Sequence, residues 1–64
     1  MPVINIQIIQ GRSAEKVKEV IQNVTETISV TLDVPKERVR VIVTEVPKTH
    51  WGIGGTPVSD MLNR

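Results

Sequence analysis

At 64 residues, with a net charge of +1, no cysteine and one aromatic residue, the chain excludes several classes of protein at once. There can be no disulfide, thiolate nucleophile or thiolate metal site, and neither the basic stripe nor the stacking rings of a nucleic-acid binder are present. No apolar run reaches membrane-spanning length and no signal-peptide pattern opens the chain, so the expectation is a cytoplasmic protein.

The chain starts Met1-Pro2 and passes straight into the apolar segment Val3 to Ile9. Inside a chain a proline nitrogen is a tertiary amide with no proton and no basicity. A residue as small as Pro2 permits removal of Met1, and the same atom then becomes a terminal secondary amine. That amine is the natural candidate for a general base in a chain with no Cys, no Tyr and a single His. Val3 to Ile9 is β-branched and alternating, with Ile4, Ile6 and Ile8 on one face and Val3, Asn5, Gln7 and Ile9 on the other. Gln10-Gly11-Arg12 breaks the strand.

Ser13 suits a helix N-cap, with Glu15 near the positive end of the dipole. Val17, Val20, Ile21, Val24, Ile28 and Leu32 then follow helical spacing. They predict a helix over about 14–32 that Pro35 terminates. Lys36-Glu37-Arg38 reads as a polar turn and 39–46 as a second strand. Val39, Val41 and Val43 point one way; Arg40, Ile42, Thr44 and Val46 point the other. Pro47 stops the strand. Residues 48–64 read as irregular, with a short hairpin around 51–56 and a frayed tail over about 57–64.

Strand, helix and strand predict a parallel β-α-β unit with a right-handed crossover in one domain spanning 1–64. The class is α/β, or a small α+β domain, with a short C-terminal hairpin. A chain this short buries only about 60% of its unfolded surface. Small scaffolds need disulfides, metals or partner subunits. Disulfides are excluded and metal ligands are not obvious, so assembly with further copies is the expectation. One helix covers only one sheet face, and another copy is the simplest cover for the other.

Three side chains beside Pro2 could carry chemistry: Arg12, Arg40 and Trp51. Arg40 interrupts an apolar strand, and a buried guanidinium needs anionic or hydrogen-bonding partners. It fits either an intersubunit salt bridge to Glu45 or Asp60, the plainer reading from the residues alone, or an anionic substrate. Arg12 follows a glycine in a strand-to-helix loop, where a solvated arginine is ordinary. Trp51 fits an oligomer-interface anchor better than a substrate wall, and Ile9 ends the first strand. His50 has no companion at ligand spacing. Gly52-Ile53-Gly54-Gly55 lacks the Lys-Ser/Thr ending of a phosphate loop and joins no strand to a helix. Asp33, Glu37 and Glu45 are unpaired carboxylates.

Taken together, Met1-Pro2, Gly11-Arg12-Ser13, the run Val39-Arg40-Val41-Ile42-Val43-Thr44-Glu45 and His50-Trp51-Gly52-Ile53-Gly54-Gly55 resemble the 4-oxalocrotonate tautomerase family. The resemblance covers nearly the whole chain and its order of elements. It implies a tautomerase-like fold, no cofactor and no metal. It implies Pro2 as catalytic base and Arg12 and Arg40 as substrate-binding arginines, Arg40 also stabilising enolate charge. Trp51 stands where the family has an active-site phenylalanine. Ile9 matches the residue whose backbone reaches the substrate through water. The implied substrate is a small dicarboxylate dienol resembling 2-hydroxymuconate, or a 2-keto acid. It would be converted to a ketone resembling 2-oxo-3-hexenedioate. The implied assembly is a homohexamer, a trimer of dimers with sites shared between subunits. Two rival readings remain at this stage. One is dehalogenase-like or decarboxylase-like activity on small unsaturated acids, and the other is a non-catalytic oligomeric binding module.

Overall fold

A computed structural model describes residues 2–61. Strand β1 (Val3–Ile9) leads to helix α1 (Ala14–Leu32), a 3₁₀ turn (Lys36–Arg38) and strand β2 (Arg40–Val46). A second 3₁₀ turn (Lys48–His50) precedes the short strands β3 (Gly52–Ile53) and β4 (Thr56–Pro57) and the single-turn helix α2 (Val58–Met61). β1 and β2 pair in parallel, from Val3 opposite Arg40 to Ile9 opposite Val46. The β-α-β expectation therefore holds.

The strands follow the period of two written in their sequences. Ile4, Ile6 and Ile8 are half-buried under α1, whereas Val3, Asn5 and Gln7 are exposed. In β2, Val41 and Val43 are half-buried, and Arg40, Ile42 and Thr44 are exposed. Val39 is the one residue buried outright among the described residues, at 8% exposure. Sequence pattern placed it as the first residue of β2. The ladder starts one residue later because the Val39 N–H donates to the Lys36 carbonyl (3.0 Å), closing the 3₁₀ turn instead of the sheet.

Helix α1 has the boundaries read from its sequence. Ser13 has extended backbone (φ −68°, ψ 156°), and its Oγ accepts from the Lys16 N–H at 3.2 Å, satisfying one orphan donor of the first turn. At the other end Asp33 takes a left-handed conformation (φ 56°) and its N–H donates to the Ser29 carbonyl. The Val34 N–H donates to that same carbonyl (3.0 Å), while Ser29 Oγ donates to the Val34 carbonyl (2.6 Å). Val17, Val20, Ile21, Val24 and Ile28 are half-buried as expected. Leu32 is not: it is 55% exposed. A 19-residue helix is about 28 Å long and a seven-residue strand about 23 Å, so the last turn has no sheet beneath it.

The C-terminal segment is more ordered than a frayed tail. The hairpin forms where expected, with Ile53 opposite Thr56. Gly54 (φ 60°) and Gly55 (φ 89°) occupy the two turn positions, both in the left-handed region that a two-residue hairpin of this kind requires. Pro57 lies within β4, and the next four residues form α2. The Val58 N–H donates to the Trp51 carbonyl (2.8 Å), which ties the start of α2 back across the hairpin. Residues 62–64 of the expected tail, and the expected removal of Met1, lie outside the described residues.

This segment packs mainly on itself and reaches away from the β-α-β unit. The chain measures 46 × 24 × 14 Å with a radius of gyration of 14.9 Å. A compact domain of this length would have a radius near 11 Å. Among the described residues Val39 is the one buried side chain, so the core is small. Val39→Ala is expected to lower the unfolding free energy by about 2 kcal/mol, measured by urea denaturation at fixed subunit concentration.

Candidate active site

The head of the parallel sheet places Pro2 beside Arg40. Pro2 is half-buried, and its carbonyl accepts from the Arg40 N–H at 3.0 Å, one step ahead of the first strand residue. The bond positions the proline ring with respect to β2 and leaves its nitrogen at the chain-terminal side. The Arg40 side chain is exposed in the single chain. It lies on the sheet face opposite α1, and among the described residues no other element covers that face there. Its partner is neither Glu45 nor Asp60 within the chain. Arg40 Nη1 donates to the Glu37 carbonyl at 2.7 Å. A guanidinium donating to a carbonyl at this distance forms a charge-assisted bond that restricts the direction of its remaining donors.

The turn that supplies this carbonyl is itself tied to α1. Lys36 Nζ meets Glu26 Oε2 at 2.6 Å. The bond to Glu26 and its negative charge raise the Lys36 pKa above the ordinary lysine value. Whatever the pair contributes is present below that ordinary value and is lost as pH rises through the raised one. Both side chains are more than half exposed, so the pair contributes little to global stability.

The opposite end of the sheet carries the other candidates. The Gln10 N–H donates to the Val46 carbonyl (2.9 Å), extending the ladder one residue past Ile9. Gly11 then turns the chain with φ 130°, a value open to glycine and strained for other residues. Arg12 follows immediately, ahead of the Ser13 cap. Gln7, Ile8, Ile9, Arg12 and Trp51 line an open cavity of about 240 Å³. A second cavity of similar size is lined by Gln7, Val46, His50, Trp51 and Gly52, so that Gln7 and Trp51 border both. Trp51 is half-buried. His50 is exposed, with Nδ1 3.1 Å from Thr49 Oγ1. Among the described residues no three His, Asp or Glu side chains converge as metal ligands.

Three of the predicted residues, Ile9, Arg12 and Trp51, thus meet in one cavity. Pro2 and Arg40 do not join them. The two groups sit at opposite ends of seven-residue strands, about 20 Å apart, which is far longer than a small diacid. Gln7 lines both cavities and was treated from sequence as an ordinary strand residue. The available signal was its position two residues before Ile9, which puts it on the same sheet face.

A family model described as "Tautomerase enzyme" matches residues 2–61; the chain belongs to the tautomerase family and is a keto–enol isomerase. It is 53% identical over 64 residues to a 2-hydroxymuconate tautomerase of Pseudomonas putida, covering all of both chains. Its backbone is similar to that of TomN, a 4-oxalocrotonate tautomerase homologue of the tomaymycin biosynthetic pathway. The TM-score is 0.96 at 35% identity, covering 98% of this chain and 97% of that one. It is also similar to a heterohexamer 4-oxalocrotonate tautomerase from Chloroflexus aurantiacus. There the TM-score is 0.90 at 34% identity, covering 95% of this chain and 98% of that one.

Trp51 is the only aromatic residue, so its emission reports the cavity directly. Titration with a small dicarboxylate is expected to change Trp51 fluorescence saturably in the wild type. In Arg12→Ala the half-saturating concentration should rise about tenfold, as for loss of a charge-assisted contact of roughly 1.4 kcal/mol.

Proposed function

We propose that the protein is a cofactor-independent 2-hydroxymuconate tautomerase in which the nitrogen of Pro2, freed by removal of Met1, is the general base. The observation that carries this reading is the bond from the Arg40 N–H to the Pro2 carbonyl, which seats the proline at the head of the sheet beside an arginine. The full-length similarity to curated 2-hydroxymuconate tautomerases supports the substrate.

The proton balance needs one base and no cofactor. Pro2 nitrogen takes the 2-hydroxyl proton of the dienol. The oxygen lone pair becomes the new C=O bond, the conjugated double bonds shift by one position, and the far carbon is protonated by the prolyl ammonium. The base ends in its starting state. Arg40 binds the carboxylate and oxygen at the reacting end, where negative charge develops. Arg12 holds the distal carboxylate and so orients the carbon chain. Ile9 and Trp51 form the apolar wall, with the Ile9 backbone available to a bridging water. Apolar walls and guanidinium charge both favour the neutral amine over the ammonium. Activity therefore rises with pH until that amine is unprotonated.

The two ends of one chain are too far apart to serve one substrate, so the site requires more than one copy. In this reading the Pro2 end of one subunit meets the Arg12–Trp51 end of another, with an Arg40 guanidinium closing the pocket. A homohexamer built as a trimer of dimers meets that requirement. It also covers Val3 and Ile42, which are 53% and 51% exposed on the open sheet face. The reaction would take place in the cytoplasm.

Pro2→Ala leaves a primary amine in place and is expected to lower kcat on 2-hydroxymuconate by about 10²-fold, the scale of lost general-base catalysis. An ultraviolet assay of the conjugated ketone measures this, and an unchanged rate would contradict the role of Pro2. Arg12→Ala should raise KM for the diacid and leave a monoacid substrate unaffected. Chains carrying Pro2→Ala and chains carrying Arg12→Ala should each be poor catalysts alone. Unfolded together and refolded as a mixture, they should regain a statistical share of wild-type activity. No recovery would mean that the two groups do not come from different subunits.

A further inference from the structure

We propose that the Glu26–Lys36 pair is a positioning device for Arg40, acting through the 3₁₀ turn that presents the Glu37 carbonyl to the guanidinium. The inference rests on the role given to Arg40 above and adds two residues that never touch substrate.

The chain of contacts is short and continuous. Glu26 Oε2 holds Lys36 Nζ at 2.6 Å, fastening the first residue of the turn to the middle of α1. The next residue, Glu37, offers its carbonyl to Arg40 Nη1 at 2.7 Å. Two further bonds close the turn itself, from the Arg38 N–H to the Pro35 carbonyl and from the Val39 N–H to the Lys36 carbonyl, each 3.0 Å. Pro35 restricts the backbone on entry, with φ −63°. On exit the Val39 side chain is buried in the core. The turn is thus held at both ends by its backbone and on its outer side by one ion pair.

Arginine is flexible along its stem, and a substrate carboxylate must find the fork of the guanidinium already facing it. The carbonyl of Glu37 engages Nη1 and leaves Nη2 and Nε to point elsewhere. A small tilt of the turn moves that carbonyl and swings the fork. Glu26 is on α1, which packs against β2, so the pair references the turn to the same scaffold that carries the Arg40 backbone. A surface ion pair contributes little to unfolding free energy. Its consequence here is the direction of one side chain, where misplacement by an ångström can cost far more in rate than in stability.

The test is a double-mutant cycle on the assembled enzyme, with kcat and KM for 2-hydroxymuconate measured at low and high salt. Lys36→Met is expected to lower kcat/KM about fivefold, well under the roughly 10²-fold cost of an ångström-scale misplacement. The thermal midpoint and assembly size should be unchanged. The defect should be absent when Lys36→Met is introduced into an Arg40→Ala background. The reversed pair, Glu26→Lys with Lys36→Glu, should restore most of the rate, and salt should weaken the wild type toward the Lys36→Met level. An equal effect of Lys36→Met with and without Arg40, or failure of the reversed pair to rescue, overturns the inference. If Arg40→Ala lowers kcat/KM while Lys36→Met does nothing, the inference alone fails. If Arg40→Ala itself changes nothing, the role of Arg40 fails and this inference with it.

Discussion

The register of the β1–β2 ladder is the constraint on which the remaining geometry depends. Setting Val3 opposite Arg40 brings the Pro2 carbonyl within hydrogen-bonding distance of the Arg40 N–H. The same register sets Ile9 opposite Val46 at the far end, where Gly11 turns Arg12 toward Trp51. A parallel pairing slipped by one residue would reverse the face of every side chain on one strand. The isoleucines of β1 would then leave α1 for solvent. Burial of those side chains and placement of the chemistry are therefore one choice made once.

That choice leaves the chain incomplete in two ways that share a cause. A two-stranded sheet with a single helix has one covered face, and the described residues include only one buried side chain, Val39 at 8% exposure. The same sheet holds the candidate groups at its two ends, separated by the length of the strands. The extended hairpin and α2 add reach without adding core, which is why the chain is longer than a compact domain of its size. The proposed assembly resolves both shortages together. In that proposal a second copy would cover the open face and would also bring the head of one sheet toward the tail of another.

Much of this was legible in the residues because period and punctuation act locally. Alternating isoleucines specify β1, the Ser13 cap and Pro35 bound α1, and paired glycines at 54 and 55 specify the hairpin turn. The departures came from interactions that a linear pattern does not contain. Val39 fell out of β2 because its N–H is used by the preceding turn. Leu32 kept helical spacing but passed beyond the sheet. Residues 57–61 were ordered by a bond from Val58 to Trp51, a partner seven positions away across a hairpin. The apolar neighbours of Arg40 along the strand do not fix its exposure. Exposure is decided by what lies above the sheet, and among the described residues of one chain nothing covers Arg40.

The candidate site divides along the same line. Residue type alone pointed to Pro2, as an amine that can be freed, and singled out Arg12 and Arg40 without a role; the family resemblance supplied the expectation that the two arginines bind a small diacid. The alternation of β1 also placed Gln7 on the face of Ile9, though nothing in that pattern said that the face borders a cavity. Only the folded chain joined Ile9, Arg12 and Trp51 around one cavity, added Gln7 to it, and held the Arg40 guanidinium against a main-chain carbonyl. Side-chain chemistry is a property of single residues and can be read one letter at a time. Distance and direction between residues far apart in the chain are fixed by strand register and turn geometry, which exist only once the backbone has paired.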